Sequence, residues 1–271
     1  MGINPYTSEA VSQDSSPTAD EALTPVGDRS EVSSKSESEQ KPLLLILPAK
    51  AEDLDTIANY YVTAYTTGAW EGEKHEKSEV LKRLQDNFID PNFRILSLKL
   101  GTEIVGFSIT RKVPIGEIVE DISADLLVNS QVIISDQEKD TLSKAFAETI
   151  QVPNIEDSDQ NMFAGVFQDI VIIPEYQYLG RRGYLNLMIN ATRMLLEDST
   201  VAMIVVYTKE DVSTIVKTLV GMGGSLALKV EKLRDGSDSE GEKAKDVYVV
   251  YSGNSDQVRP KFKEFCQRFN I

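Results

Sequence analysis

With 271 residues, an apolar fraction of 41% and a net charge of −15, the chain can hold one large domain or two small ones and pack a core. That acidity, with no run of Lys and Arg, excludes a nucleic-acid surface and leaves small cations and amines as the easier partners. A lone Cys266 and a lone His75 offer neither an internal disulfide nor a zinc cluster, and no apolar stretch nears the roughly 20 residues that span a bilayer. No metal and no membrane partner is therefore expected, and a single cysteine suits a reducing compartment, the cytoplasm, with the nucleus left open.

Residues 1–41 are rich in Ser, Glu, Asp and Thr and poor in large apolar side chains, so burial cannot offset their ordering entropy; they read as a disordered acidic tail. Residues 42–271 read as the folded domain. It opens on a strand at Leu43–Leu47. A helix follows whose Leu54, Ile57, Ala58, Tyr61 and Tyr65 share one face, and a second places Val80, Leu81, Leu84 and Phe88 together before Asp90-Pro91 closes it. Phe93–Leu100 and Ile104–Thr110, joined by Gly101-Thr102, form a hairpin. The stretch from about 114 to 160 is too long for an ordinary connection; within it Ser135 and Glu138 suit a capping box ahead of Leu142, Phe146 and Ile150.

Strand Val166–Ile173 then runs into Pro174, which cannot donate to a ladder, and helical spacing resumes at Leu185, Met188, Ile189, Leu195 and Leu196. The helix is expected to begin near Gly180–Gly183. Its first N–H groups lack intrahelical partners, so this strand-turn-helix is a place to hold an anion. Strand Val201–Tyr207, a helix at about 210–222, strand Ser225–Leu233, a mobile acidic loop from Arg234 to Asp246, strand Val247–Ser252 and a short helix over Asp256–Phe269 complete the order. The fold class is α/β (α+β) with a mixed sheet.

That order, together with Asp169-Ile-Val-Ile-Ile-Pro-Glu-Tyr-Gln-Tyr-Leu-Gly180, resembles the GNAT acyl-CoA N-acyltransferase superfamily over roughly 43–252. The resemblance implies a mostly antiparallel central sheet flanked by helices, with a helical insertion between strands 3 and 4. It also implies acetyl-CoA as co-substrate. Gln177 and Gly180 match the family's phosphate-binding turn, Arg182 stands where the family has a small residue, and Gly183 falls one position late. Backbone N–H groups from Tyr178, Leu179, Gly180, Arg181, Arg182 and Gly183 would receive the pyrophosphate, and the pantetheine arm would lie along Val171, Ile172 and Ile173.

The implied chemistry is direct attack of an amine on the acyl thioester. Asp169, on the strand face of Val171 and Ile173, is the first candidate base and Glu175 the second. For the acid, Lys217 occupies the position of the family's usual helix tyrosine, so Tyr207 at the end of strand 5 or a water takes that place. Trp70 and His75 read as a surface aromatic and a solvated imidazole. Tyr60, Tyr61 and Tyr65 read as core and rim of the first helix, one of them a possible lining of an acceptor pocket. The expected function is N-acetyl transfer to an amine of a small molecule or peptide. The alternatives are a catalytically lapsed binding or regulatory module of the same fold, and a scaffold whose acidic segments hold a basic partner.

Overall fold

The computed structural model describes residues 43–66, 75–157, 159, 161–209, 217–218, 220–237 and 243–269. The 1–41 tail, Trp70 and most of the helix expected over 210–222 lie outside them.

The described residues build one seven-stranded sheet in the order β1-β2-β3-β4-β5-β7-β6. Strands β1 (Leu44–Pro48), β2 (Phe93–Leu100), β3 (Glu103–Pro114) and β4 (Phe163–Ile172) form an antiparallel half. Strand β5 (Val201–Lys209) joins β4 in parallel, and β7 (Lys243–Asn254) separates β5 from β6 (Ser225–Ser237) by antiparallel pairing. A parallel pair needs a crossover helix, and α5 (Gly180–Glu197) supplies it.

Two layers cover the sheet. On one face α5 and the C-terminal helix α6 (Ser255–Phe269) bury Leu187, Ile189, Leu195 and Val258 against Phe167, Ile204 and Val206. On the other, α1 (Leu54–Tyr65) and α2 (Lys77–Phe88) pack Ile57, Ala58 and Leu84 onto Phe107, Ile109 and Val171. Beside them α3 (Ile118–Ser130) and α4 (Asp136–Ile150) pack Ile122, Leu142 and Phe146 onto Val166, Val205 and Val250. That second face therefore carries a seam between two helix pairs.

The five expected face residues of α1 are all buried, and Ser135 with Glu138 forms the capping box, Ser135 N donating to Glu138 Oε2 at 2.8 Å. The 114–160 stretch differs in one respect: it holds two helices. α3 escapes periodicity because Asp121 and Asp125, which pair with Arg111, interrupt its apolar face. The Arg234–Asp246 loop is corrected more strongly. β6 continues to Ser237 and β7 starts at Lys243, with Lys232 opposite Asp246 and Leu233 opposite Lys245, so cross-strand pairing extends a charged hairpin beyond its apolar part.

Close backbone approach fixes the middle of the sheet. A Cβ on Gly106 would stand 2.7 Å from the Val171 carbonyl and 2.8 Å from Ile172 Cδ1. Gly106→Ala is expected to cost about 1–3 kcal/mol of stability, read as a lower denaturant midpoint at unchanged slope, because backbone cannot yield as a flexible side chain does.

Candidate active site

Strand β4 keeps its parallel partner only from Phe163 to Phe167, which stands opposite Val206. Beyond that point β4 runs on to Ile172 against β3 alone, while β5 runs on to Lys209 against β7 alone. The two strands thus part, and their facing edges carry ladder groups without a strand partner. Ile173 N–H donates to Val105 O on β3. Alternation then turns the N–H and C=O of Ile172 and Ile170 toward the opening. Of the three positions expected along the pantetheine arm, Ile172 faces it and Val171 and Ile173 face β3.

A β-bulge lies where the strands part. Ile109 is opposite Asp169 but Thr110 is opposite Phe167, so Gln168 is the extra residue. It shifts the phase of β4: Ala164 and Val166 lie on the face of α3 and α4, and after the bulge Asp169 and Val171 return to that same face. The carboxylate is thereby aimed into the seam between the helix pairs. Asp169 is only 5% exposed.

Around it stands a polar network that the sequence did not announce. Tyr65 Oη, on the last turn of α1, donates to Asp169 Oδ1. Asp169 Oδ2 is buried and has no hydrogen-bond partner among the described residues. Tyr61 stacks on Tyr65 with ring centroids 4.4 Å apart, and Arg83 from α2 lies 5.0 Å from the Tyr61 ring centre. His75 is not a solvated imidazole; it packs edge-on against Tyr61 and Tyr65 at 5.3 and 5.2 Å.

Next along the seam, Arg111 of β3 holds Asp121 and Asp125 of α3, each at 2.5 Å, with its own side chain 6% exposed. Tyr207 Oη donates to the same Asp125 oxygen, Oδ2. An arginine following the largely apolar run of 104–109 in β3, and two acids four residues apart in the insertion, were the available signals. Nothing local pairs them.

Burial sets the protonation of this network. It raises the pKa of Asp169 above the usual carboxylate range, while Arg83 and the Tyr65 hydrogen bond oppose the shift. Burial and then the Asp169 charge push Tyr65 well above the ordinary phenol value. Burial and then Asp125 do the same to Tyr207, which therefore keeps its proton at neutral pH.

The turn after β4 is a run of 3₁₀ helix, Pro174–Leu179, that passes directly into α5. Glu175 is exposed on that turn, outside the network. No acid stands in the first turn of α5, and Leu179 at its N-cap makes no side-chain cap. Arg181 and Arg182 fall in that first turn. Gly180 opens the helix. Gly183 is buried: a Cβ there would meet Leu98 Cδ2 at 3.3 Å and Ile172 Cδ1 at 3.5 Å, so the late glycine serves the close packing of α5 on the sheet. Tyr178 is exposed and Leu179 partly buried. Lys217 is exposed, in the short described part of the helix before β6. No helix among the described residues is long and apolar enough to cross a membrane, and none of them form a metal-binding cluster.

No protein-family model matches the chain, nor does any curated protein. Solved structures do. A variant agmatine N-acetyltransferase in its apo form superposes with a TM-score of 0.50 at 10% identity, over 78% of this chain and 99% of that one. Arabidopsis thaliana NAA60 in complex with acetyl-CoA gives 0.47 at 9% identity, over 78% and 98%. An acetyltransferase of the GNAT family from Streptococcus pneumoniae gives 0.46 at 13%, over 78% and 99%. At such identities the likeness is one of fold. With its parallel β4–β5 pair set between antiparallel halves, the chain has the GNAT acyltransferase fold, in a sequence far diverged from these structures.

Proposed function

We propose that this chain is an N-acyltransferase that moves an acyl group, acetyl in the first instance, from coenzyme A to the amine of a small molecule or peptide. The observation that carries the reading is the parting of β4 from β5 with a buried carboxylate, Asp169, at its mouth. The outward N–H and C=O of Ile172 and Ile170 suit an extended amide-bearing arm, which would add to β4 as a strand does. The acid-free first turn of α5, with Gly180, Arg181 and Arg182, suits the pyrophosphate.

The chain's residues then have the following roles. Asp169 Oδ2 accepts the proton of the attacking amine, and a pKa raised toward neutrality makes it a stronger base than an exposed carboxylate. Tyr65 positions it by occupying Oδ1. As the N–C bond forms, an outward N–H of β4 would stabilise the oxyanion; as the C–S bond breaks, Tyr207, whose proton otherwise goes to Asp125, is assigned the protonation of the departing sulfur. Glu175, exposed on the turn, is assigned no step. Localisation in the cytoplasm and the division at residue 42 stay with this reading as expectations.

Calorimetric titration with acetyl-CoA, followed by thiol release over a panel of amines, tests it. Binding and turnover of at least one amine are expected; no heat at millimolar acetyl-CoA overturns the assignment. A second reading, a binding module that no longer turns over, is favoured by one observation. The 3₁₀ run of 174–179 engages part of the backbone donors ahead of α5 in its own i→i+3 bonds. It predicts coenzyme A binding without thiol release on any amine.

A further inference from the structure

A polar cavity of about 230 Å³ lies between the last turns of α4, the start of β6, the end of β7 and the first turn of α6. It is separate from the parted strands. Ser252 and Asn254 of β7 stand opposite Val205 and Met203, in the stretch of β5 that runs away from the opening, which begins beyond Val206. Two irregularities mark this end of β6. The turn before it passes through Gly223 at φ 96°, and Ala227 is a β-bulge, since Leu226 is opposite Tyr251 and Leu228 opposite Val250. Ser225 and Leu226, ahead of the bulge, are exposed and line the cavity.

A count of hydrogens tells what the lining offers. Thr149 Oγ1 donates its one hydrogen to Ala145 O at 2.8 Å, so in its 2.8 Å bond with Ser252 Oγ the serine is the donor. Ser252 is 1% exposed; its hydrogen is spent, and its lone pairs accept nothing among the described residues. Asn254 gives one N–H to Thr149 O and accepts from Asp256 N, which leaves it one N–H. Glu148 on α4 and Gln257 on α6 are exposed at the mouth. The wall is thus rich in acceptors, around one carboxylate. No Lys or Arg lines it, which disfavours an anion; Lys261 stands outside, beyond Gly223. No aromatic ring lines it either, so a flat heterocycle has no face to stack on.

We propose that this cavity is a second binding site, for a neutral cyclic polyol: a monosaccharide or a cyclitol. Two neighbouring ring hydroxyls donate to the two oxygens of Glu148, the charge-assisted form of the bond. A third donates to the idle lone pairs of Ser252, and a ring oxygen accepts the spare N–H of Asn254. Leu226, 51% exposed, offers the C–H face of the ring an apolar surface. Sites for drug-sized ligands hold roughly 300–1,000 Å³, so this cavity suits one six-membered ring and not a nucleotide. The proposal does not rest on the acyl-transfer reading.

Glucose and myo-inositol are the probes, with acetate and butylammonium as the anion and cation to compare, each titrated into the full chain by saturation-transfer NMR without acyl donor. At least one ring is expected to saturate with a Kd of about 1–10 mM, below both ions. Tighter glucose assigns the site to a monosaccharide and tighter myo-inositol to a cyclitol. Glu148→Gln should weaken the ring about tenfold, and Ser225→Phe, which fills the mouth, should abolish its signal; both positions are exposed, so neither variant threatens the fold. Glu264→Gln, an exposed acid elsewhere on α6, should change nothing. No saturation by either ring at about 100 mM, tighter binding of acetate or butylammonium, or ring binding untouched by Glu148→Gln and Ser225→Phe overturns the proposal. Neither result depends on acetyl-CoA turnover, so this site and the acyl-transfer reading stand or fall separately.

Discussion

Asp169→Asn should lose acyl transfer by about 10²–10⁴-fold and yet leave the protein more stable at neutral pH, by about 1 kcal/mol. Both effects have one cause. The side chain is 5% exposed, its Oδ1 accepts from Tyr65 and its Oδ2 has no partner among the described residues, so the ionised form is poorly housed. Asparagine keeps the Oδ1 acceptor and removes the charge, which suits the fold but, on the proposed mechanism, takes away the base.

The pH dependence follows from the direction of the shift. The native pKa of Asp169 lies above that of the unfolded chain, so between the two values the native state binds more protons. This group's contribution is therefore largest at and below the ordinary carboxylate range and is lost as pH rises through the raised native value. Asp169→Asn abolishes that loss. The difference in denaturant midpoint between the two proteins should thus grow as pH climbs from about 4 and then level off. A constant difference across that window would show that Asp169 is not perturbed. Tyr65→Phe gives the complementary reading. It removes a hydrogen bond that favours the charged form, so the acidic limb of kcat/KM should move to higher pH, which a merely structural tyrosine would not cause.

The largest loss of stability is expected at Arg111. It is 5% exposed and is bonded to both Asp121 and Asp125; Arg111→Ala leaves two partly buried carboxylates without their cation. Breaking a buried pair from one side costs about 3–5 kcal/mol, far more than the pair itself contributes. Urea unfolding should show this as a lower midpoint. The double variant Arg111→Ala with Asp125→Ala should recover part of the loss, because one stranded charge goes with its partner. Full additivity of the two changes would mean that the network is not one unit. Tyr207, which donates to Asp125, should then lose its anchor, and thiol release should fall even where the fold survives.

Much of the fold was legible from local pattern. Leu54, Ile57, Ala58, Tyr61 and Tyr65 repeat at helical spacing and are the buried face of α1; Ser135 and Glu138 announce α4; Gly101-Thr102 marks the hairpin of β2 and β3. The helix α3 was missed because Asp121 and Asp125 sit where its apolar face should continue. The β6–β7 hairpin was cut short because Arg234 to Asp246 read as a charged loop, although strand pairing there depends on the partner across the ladder.

At the site the division is sharper. The residues from Asp169 to Gly180 suggested a strand, a turn and a helix, and with them an anion site, because backbone geometry over a dozen residues depends on neighbours in the chain. Asp169 itself could be named as a candidate. What it does is decided elsewhere: Tyr65 is 104 residues away, and α3, which brings Asp125 to Tyr207 across 82 positions, belongs to an insertion. A single extra residue, Gln168, turns the carboxylate into the seam, and only pairing with β3 reveals that it is extra. Gly183 makes the same point in reverse, since its lack of a side chain answers to Leu98 on β2, a residue far off in the sequence. Composition, charge and element order were thus set by the chain itself, because each is summed over near neighbours. The acidity, orientation and company of Asp169 were settled by tertiary packing, because burial and charge act through space between residues that the sequence keeps far apart.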